Sequence, residues 1–372
     1  MKNIKIGERI MKKISAITTA ILVYSAIVFY LGWCVFIWLD AFLSVNRWIF
    51  FSGWTVMAYA LLIARIDHRF RVFHIIGSYW MIIMQYGIIL FPIATIATWI
   101  MPDQLIVIGS IVFFLFVMSI IIGTYNAYTP VVRELSITLP KRDAKLTTLK
   151  VVVASDFHLG LLSNKAHLQR FVKKSNEERP DVVLLVGDLV DDDPIWFVKK
   201  GMSEVMKQLT STYGNYGVLG NHEYYGKKIP LLVEEMEASN VKMLLDETIV
   251  VADSFYLTGR EDLTNKERKQ LSDLAPKVHN LPWFVMDHTP SNLVIPEKEG
   301  TDFHVSGHTH RGQMWPNHLF TRKLFELDYG YKQKGSLHAI VSSGFGFWGP
   351  PIRLGSQSEL WSVNIKLEDV GV

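Results

Sequence analysis

The stretch "KVVVASDFHLG", residues 150–160, runs from β-branched residues directly into an aspartate and a histidine. Its three valines favour a buried strand, and the polar pair marks the point where that strand ends. The arrangement recurs in "DVVLLVGDLVD" (181–191) and in "YGVLGNHE" (216–223). The intervals are about thirty residues, the length of one βαβ unit. The pattern therefore predicts an α/β fold with helices between strands and a largely parallel sheet.

Polar side chains gather at the carboxyl ends of these predicted strands, and two later predicted strands are also followed by polar residues. "WFVMDHTP" (283–290) and "DFHVSGHTHRGQ" (302–313) both run into histidines. Since parallel strands deliver their last side chains to one crevice, we expect a site there. The predicted site contains Asp156, His158, Asp188, Asn221, His222, His288, His308 and His310.

The composition of this set indicates a metal centre. Mixed imidazole and carboxylate ligands suit transition metals such as Mn²⁺, Fe or Zn²⁺, whereas an oxygen-only set would suggest Mg²⁺ or Ca²⁺. The groups exceed what one ion needs. Two ions about 3.5–4 Å apart that share a carboxylate suit attack on phosphorus, because they activate a water and neutralise developing charge. Asp188, on the middle of the first three strands, is the natural bridging ligand.

The motifs "SDFHLG", "GDLVD", "GNHE", "DHTP" and "SGHTH", in that order, resemble the motif set of the calcineurin-like metallophosphoesterases. The resemblance covers about residues 149–365. It implies an α/β/β/α sandwich with βαβ units and the activity of a metal-dependent phosphoric ester hydrolase. It also implies two sets of metal ligands and one bridging residue: Asp156, His158 and His310; Asn221, His288 and His308; and Asp188 between them.

His222 has a different role in this resemblance. It is expected to face the substrate as a general acid for the leaving oxygen or as an electrostatic stabiliser of the transition state. Glu223 is expected to shape the loop, and His304 to be structural. The acidic run 191–193 precedes Pro194 and is typical of a helix N-terminus, so it is not assigned to the site.

The loop "SSGFGFWGPPIRLG" (342–355) is the second informative segment, because its aromatic residues are too many for a simple exposed connection. They either pack beneath the metal site or form a rim that meets a hydrophobic substrate. Trp348 and Arg353 are the candidate substrate-binding residues, the arginine for a phosphate. Together with "SGHTHRGQMWP" (306–316), this loop resembles the membrane-associated branch that includes relatives of UDP-2,3-diacylglucosamine pyrophosphohydrolases.

The first third of the chain has the composition of a membrane-embedded region. Four long apolar segments occupy 14–39, 48–64, about 72–101 and 104–127, and we count four membrane spans. The net charge of +3 sums two unlike parts, because nearly all Asp, Glu and Lys residues and the histidines of the motifs follow about position 130. The predicted organisation is a transmembrane helical domain over 1–127, a juxtamembrane connection over 128–148 and a metallophosphoesterase domain over 149–372.

Lys and Arg flank the apolar segments asymmetrically. They occur at the N-terminus, in the loop after the second segment and after the fourth, which predicts a multi-pass cell-membrane protein with both termini and the catalytic domain in the cytoplasm. Buried charges are missing from the segments, which favours an anchor over a transport path. The single cysteine, Cys34, excludes an intrachain disulfide.

These observations lead to one functional hypothesis and one alternative. The favoured hypothesis is a membrane-anchored hydrolase with two divalent transition-metal ions, acting on a phosphoester or pyrophosphate bond of a lipid or lipid-linked substrate. The expected partners are the lipid bilayer and that phosphorylated substrate, and no nucleic acid. The alternative is a non-catalytic metal-binding scaffold or regulator that uses the same fold.

Overall fold

The computed structural model describes the backbone of residues 2–66 and 68–369 and the side chains of residues 11–66 and 69–369. The chain divides into two compact units, Met1–Ile120 and Ile121–Val372. The first unit is helical, and its helices are α1 (Lys2–Asp40), α2 (Arg47–Ala58), α3 (Ala60–Ala64), α4 (Arg71–Ile100) and α5 (Leu105–Tyr128), the last of which runs on into the second unit.

Among the described residues, three helical segments are long and apolar enough to cross a membrane: Met11–Asp40, Arg71–Ile100 and Pro102–Tyr128. The prediction of four spans is therefore wrong. The second apolar segment forms α2 and α3, of 12 and 5 residues. A 12-residue helix is only about 18 Å long, too short for a hydrocarbon core of about 30 Å.

The break between α2 and α3 lies at Tyr59, whose φ of −104° and ψ of 10° are not helical. Its hydroxyl lies 2.7 Å from Ser25 Oγ of α1, and its ring meets that of Tyr24 edge-on at 5.5 Å. The tyrosine is thus held against α1 by contacts with two residues. Because position 59 is neither proline nor glycine, hydropathy alone gives no sign of this break.

Among the residues of the second unit that the structure describes, 121–369, twelve strands form two six-stranded sheets. The strands are β1 (Val131–Pro140), β2 (Thr148–Ala154), β3 (Val182–Val186), β4 (Asn215–Val218), β5 (Val241–Met243), β6 (Glu247–Val251), β7 (Phe255–Gly259), β8 (Trp283–Met286), β9 (Phe303–Ser306), β10 (Gly330–Lys334), β11 (Leu337–Val341) and β12 (Glu359–Glu368). The sheet orders are β1-β12-β2-β3-β4-β5 and β10-β11-β9-β8-β7-β6.

The helices of the second unit occur between these strands. They are α6 (Lys165–Glu177), α7 (Ile195–Lys199), α8 (Ser203–Met206), α9 (Asn221–Gly226), α10 (Ile229–Glu237), α11 (Leu271–Leu274), α12 (Val294–Lys298) and α13 (His318–Leu324). Strands β2 to β5 are mutually parallel, as are β7, β8, β9 and β11. The predicted parallel βαβ arrangement is confirmed.

Strand β2 shows why its sequence is apolar throughout. Val151 and Val153 pack with Phe284 of the second sheet in the core between the sheets, whereas Val152 packs with Phe171 of α6 on the outer face. Successive side chains of a strand point to opposite faces, and here both faces are buried. On the outer face of the second sheet, Leu271 of α11 covers β8. Helices thus cover both outer faces, which confirms the α/β/β/α sandwich.

The segment 128–148, which the sequence suggests as a connection, contains a strand. Strand β1 pairs in parallel with β12, with Val131 opposite Glu359 and Pro140 opposite Glu368. It follows the end of α5 within three residues. This edge strand depends on pairing with the last strand of the chain, some 230 positions away, so its own sequence does not reveal it.

Candidate active site

The side chains of the candidate site come from residues that follow five strands. Asp156 and Asp188 lie two residues after β2 and β3, and His288 and His308 lie two residues after β8 and β9. Asn221 begins α9, directly after β4. The parallel direction within each sheet delivers these residues to the same edge. The structure brings together all eight residues predicted from the strand ends.

Three groups of candidate ligand atoms occur among the described residues; two stand at the strand ends, and the third, of His158, Asp191 and His222, shares His158 with the first. Asp156, His158 and His310 form the first group, and Asp188, His288 and His308 the second; within each group the ligand atoms lie within 4.8 Å of one another.

Two further residues complete the arrangement. Asp188 Oδ2 lies 3.3 Å from His288 Nε2 and 3.7 Å from His158 Nε2, so this carboxylate stands between the groups. Asn221 Oδ1 lies 2.8 Å from His308 Nδ1 and belongs with the second group.

Backbone strain is concentrated at the same residues. Five of them have φ between 44° and 70°, the left-handed region that residues other than glycine rarely adopt: Asp156, His158, Asp188, His308 and His310. Each such conformation costs about 1–3 kcal/mol and persists only where the surroundings enforce it. Strain of this kind at a cluster of buried polar residues indicates a functional site.

Glycines let the backbone approach the two carboxylates. A Cβ added to Gly220 would lie 2.2 Å from Asp188 Oδ1, and one added to Gly307 would lie 2.2 Å from Asp156 Oδ2. No side chain fits at such distances. These close approaches explain why glycine stands beside the polar residues that follow β4 and β9.

The protonation pattern of the buried groups fits a divalent cation. His288 Nδ1 lies 2.8 Å from the Val186 carbonyl oxygen and donates to it, while Nε2 is buried and has no hydrogen-bond partner among the described residues. Burial alone would lower the pKa of His288, but the charges of Asp188 and Asp156 raise it, so Nε2 carries a proton; a bound cation would displace that proton and use the Nε2 lone pair, as in a metal-ligating histidine. Burial raises the pKa of Asp156 to about 6, despite the opposing charge of His288. A cation would remove this cost, and the donor set suits a transition metal.

His222 is buried beside the two groups, and its backbone N–H donates to Asp188 Oδ1 at 2.9 Å. Its Nδ1 lies 2.6 Å from Asp192 Oδ1. Burial alone would lower the pKa of His222, but the hydrogen bond to Asp192 and the charges of Asp188 and Asp191 raise it to about 9. The imidazole is thus held in one orientation by a carboxylate at Nδ1.

The acidic run 191–193, which its sequence does not assign to the site, has members with different roles in the structure. Asp193 Oδ1 accepts a hydrogen bond from the Ile195 amide at 3.0 Å, as expected near a helix N-terminus. Asp192 instead orients His222, and Asp191 has a carboxylate oxygen within 4.8 Å of ligand atoms of His158 and His222. The sequence separates Asp192 from His222 by thirty residues, so only the packing of two loops reveals the pair.

Glu223, which the sequence analysis expects to shape the loop, makes hydrogen bonds that its motif does not reveal. Its carboxylate is buried and accepts three backbone hydrogen bonds, from the amides of Asp188 (3.1 Å), Val190 (3.0 Å) and Gly220 (2.6 Å). It therefore ties the loop after β3 to the loop after β4. These three bonds involve no candidate ligand atom. They nevertheless fix the backbone that carries the ligand side chains.

We expect Glu223→Gln to destabilise the protein by about 1–3 kcal/mol, because the amide group cannot accept all three bonds and leaves a buried N–H without a partner. The matched control is Glu234→Gln, at an exposed position of α10, for which we expect almost no change. Thermal unfolding of both variants in detergent tests the prediction. Equal stabilities would mean that Glu223 does not hold the two loops together.

Asp287, next to His288, is fixed by an ion-pair network. Its Oδ2 lies 3.0 Å from Arg260 NH1 and also bonds Arg268 NH2, and all three side chains are nearly buried. Ser306 Oγ donates to the Asp287 carbonyl oxygen at 2.6 Å. The network joins the segment after β7 to the strand end that presents His288.

We expect Asp287→Asn to cost about 3–5 kcal/mol, because it leaves two buried guanidinium groups without their shared counter-charge. The control is Asp253→Asn, whose ion pair with Lys145 is exposed and is expected to contribute about 1 kcal/mol or less. Unfolding midpoints of the two variants and the parent protein decide between a structural network and a dispensable one.

The candidate substrate residues of the 342–355 loop differ in position. Arg353 is fully buried, contrary to the expectation of a phosphate contact. It donates to the carbonyl oxygens of Gly346 (2.6 Å) and Gly344 (3.2 Å) and to Ser356 Oγ (3.1 Å), and its NH2 lies 3.3 Å from His310 Nδ1. It therefore supports the loop beneath the first group.

The aromatic residues of the same loop divide in the same way. Phe345 and Phe347 are buried, so the packing interpretation holds for both. Trp348 is 47% exposed, and its ring centroid lies 6.4 Å from that of His222. This position at the rim fits the substrate-contact interpretation.

Residues 149–312 match the calcineurin-like phosphoesterase family. The candidate ligand residues at the strand ends lie within this matched stretch, so residues 149–312 form a calcineurin-like phosphoesterase domain. The resemblance inferred from the motifs is confirmed at the level of this family. The narrower likeness to UDP-2,3-diacylglucosamine pyrophosphohydrolases stays a prediction.

Three curated relatives illustrate the similarity. An uncharacterized metallophosphoesterase of Campylobacter jejuni is 32% identical over 251 residues, 64% of this chain and 64% of its own. One from Helicobacter pylori is 32% identical over 62% of both chains. A Bos taurus protein named transmembrane protein with metallophosphoesterase domain is 27% identical over 64% of this chain and 58% of its own. The chain spans less than two thirds of the length of each of these relatives.

Proposed function

We propose that this protein is a membrane-anchored, dinuclear metal-dependent phosphoesterase that hydrolyses a phosphoester or pyrophosphate bond of a lipid or lipid-linked substrate. The observation that carries the proposal is the pair of ligand groups with Asp188 between them and His222 beside them. The non-catalytic scaffold is the alternative, and the presence of a buried histidine oriented by a carboxylate next to the ligand groups favours the enzyme.

The proposed ligands of one ion are Asp156, His158 and His310, those of the other are Asn221, His288 and His308, and Asp188 is shared. When bound, two divalent ions of Mn, Fe or Zn would activate a water and neutralise negative charge on the phosphoryl group. The protein contributes rigidity. The Glu223 and Asp287 networks fix the backbone around these residues, five of which have a strained conformation that only such surroundings maintain.

His222 is the proposed general acid. The hydrogen bond between Nδ1 and Asp192 directs the opposite nitrogen, Nε2, away from the carboxylate, where it can deliver a proton to the leaving oxygen. The backbone bond to Asp188 fixes the main chain of His222 relative to the ligands. Trp348 and Tyr225, whose ring centroids lie 6.4 Å and 5.5 Å from that of His222, would bound the substrate.

The membrane side of the catalytic unit is proposed from charge. With α1, α4 and α5 as the spans, the segment between α1 and α4 and the segment after α5 share one side. Eight basic residues flank the helices on that side: Arg47, Arg65, Arg69, Arg71, Arg133, Lys141, Arg142 and Lys145. Five lie at the N-terminus. The larger number of basic residues on the side of the catalytic unit favours a cell-membrane protein whose catalytic unit is cytoplasmic and whose N-terminus lies on the opposite side. Protease accessibility in sealed vesicles tests this arrangement.

Activity of the purified full chain with Mn²⁺ tests the central proposal. We expect turnover of generic aryl phosphodiesters and of at least one member of a panel of lipid phosphates. Phosphate release and mass spectrometry identify the product. A protein that binds two metal equivalents but turns over neither class of substrate would support the scaffold alternative instead.

A further inference from the structure

An exposed apolar surface follows directly after the metal-ligand motif of the second sheet. Trp315, Leu319, Phe320 and Leu324 are 52%, 58%, 66% and 75% exposed, four large apolar side chains within ten residues. Together with Trp348 we call them the interfacial patch. Single exposed apolar residues are common in soluble proteins, but a contiguous group marks a surface that binds something.

The patch is a fixed part of the fold. Gln313 accepts a hydrogen bond from the Trp348 amide and donates to the Trp348 carbonyl oxygen, both at 2.9 Å. Thr321 Oγ1 lies 2.7 Å from Asp328 Oδ2, which holds α13 in place. Gln313 thus joins the segment that carries the patch to the tryptophan at the rim of the active site. Trp348, whose ring centroid lies 6.4 Å from that of His222, is the member of the patch that stands beside the active site.

The side-chain composition of the patch favours a membrane surface as the partner that it binds. Exposed Arg322 and Lys323 lie among the apolar residues of α13. Long basic side chains extend their charges to the polar interface while their stems cover apolar surface, and they attract anionic headgroups. Tryptophans are enriched at the level of the headgroups. An apolar face with basic neighbours and two tryptophans has the composition of an interfacial element.

We propose that the interfacial patch inserts into the headgroup region of an anionic lipid bilayer and thereby brings the active-site entrance to the membrane surface. This inference rests on the proposed lipid phosphoesterase function and deepens it. The membrane-spanning helices would tether the chain, whereas the patch would orient the site. A lipid headgroup could then reach His222 without leaving the bilayer.

The sole cysteine of the chain makes a direct test practical. In a Cys34→Ser background, Phe320→Cys places one environment-sensitive fluorophore in the patch, and Val278→Cys, at a position 62% exposed outside the patch, is the matched control. Both proteins are reconstituted at full length in vesicles of phosphatidylcholine and phosphatidylglycerol, with or without brominated acyl chains. We expect brominated lipid to quench the label at position 320 and to leave that at position 278 nearly unchanged.

Equal behaviour of the two labels would overturn the proposal. The label at position 320 could instead escape quenching by brominated lipid and become shielded in detergent as the protein concentration rises. That result would overturn the proposal and would indicate that a second copy of the chain covers the patch. Since fluorescence needs no turnover, this result is independent of whether the protein proves to be a hydrolase.

A second measurement uses activity. We expect the double substitution Phe320→Ser and Leu324→Ser to lower turnover of a vesicle-embedded lipid phosphoester by about tenfold, from the lost apolar burial, and to leave turnover of a soluble aryl phosphodiester unchanged. The pair Val278→Ser and Val250→Ser is the control. Equal losses on both substrates would contradict a role of the patch in access to the membrane.

Discussion

Replacing Asp188 by asparagine is expected to lower turnover by at least about 10²-fold, because even partners that only orient metal ligands cost about 10–100-fold. Asp188 Oδ2 faces both His158 and His288, and its Oδ1 accepts the backbone N–H of His222. The amide would keep the shape of the side chain but lose the charge that both ligand groups share. We therefore expect bound metal to fall together with turnover.

The measurement is turnover of an aryl phosphodiester together with metal content by mass spectrometry. Asp193→Asn is the matched control, because Asp193 lies in the same loop, is paired with Lys228 and caps the Ile195 amide, a bond that asparagine can also accept. Full metal content in the Asp188→Asn protein would contradict its place between the two ligand groups. Full turnover would contradict the proposed function.

His222→Ala is expected to separate turnover from metal binding. General acid catalysis contributes about 10²–10⁴-fold, so turnover should fall by that factor. Because the alanine backbone still donates to Asp188 and the ligand side chains are untouched, metal content should stay close to that of the parent protein. The two effects are measured on the same preparation.

Asp192→Asn provides the graded comparison for this prediction. It weakens the orientation of the imidazole without removing it, so we expect a smaller loss of turnover than in His222→Ala. If His222→Ala loses metal and turnover in equal measure, the histidine is a ligand. If Asp192→Asn loses more turnover than His222→Ala, the carboxylate itself takes part in the reaction.

Much of the candidate site can be predicted because its residues stand at repeated positions. Val151, Val152 and Val153 must be strand residues buried on both faces, and whatever follows such a strand in a parallel sheet lies at the crevice. The same logic places Asp188 and Asn221. The structure brings all eight predicted residues to one edge, and the family comparison supports the reading of their motifs.

Other features depend on contacts that no periodicity encodes. Arg353 looks like a phosphate-binding residue in a glycine-rich loop, yet its guanidinium is buried against the carbonyl oxygens of that loop. Asp192 looks like part of a helix start, yet it pairs with His222. Hydropathy gives residues 48–64 the length of a span, yet Tyr59 divides them into two short helices.

The sequence by itself determined the alternation of strands and helices, the polar residues that stand at the strand ends and the apolar character of the first third. These follow from local rules, because burial on both faces of a strand, glycine beside a carboxylate and long uncharged segments each leave a signature in consecutive residues. Only the tertiary structure decided which carboxylate orients His222, that Glu223 joins two loops, and that the aromatic residues after the metal motif form an exposed patch. Those outcomes depend on the distances between segments that are far apart in the chain, and a linear pattern carries no information about such distances.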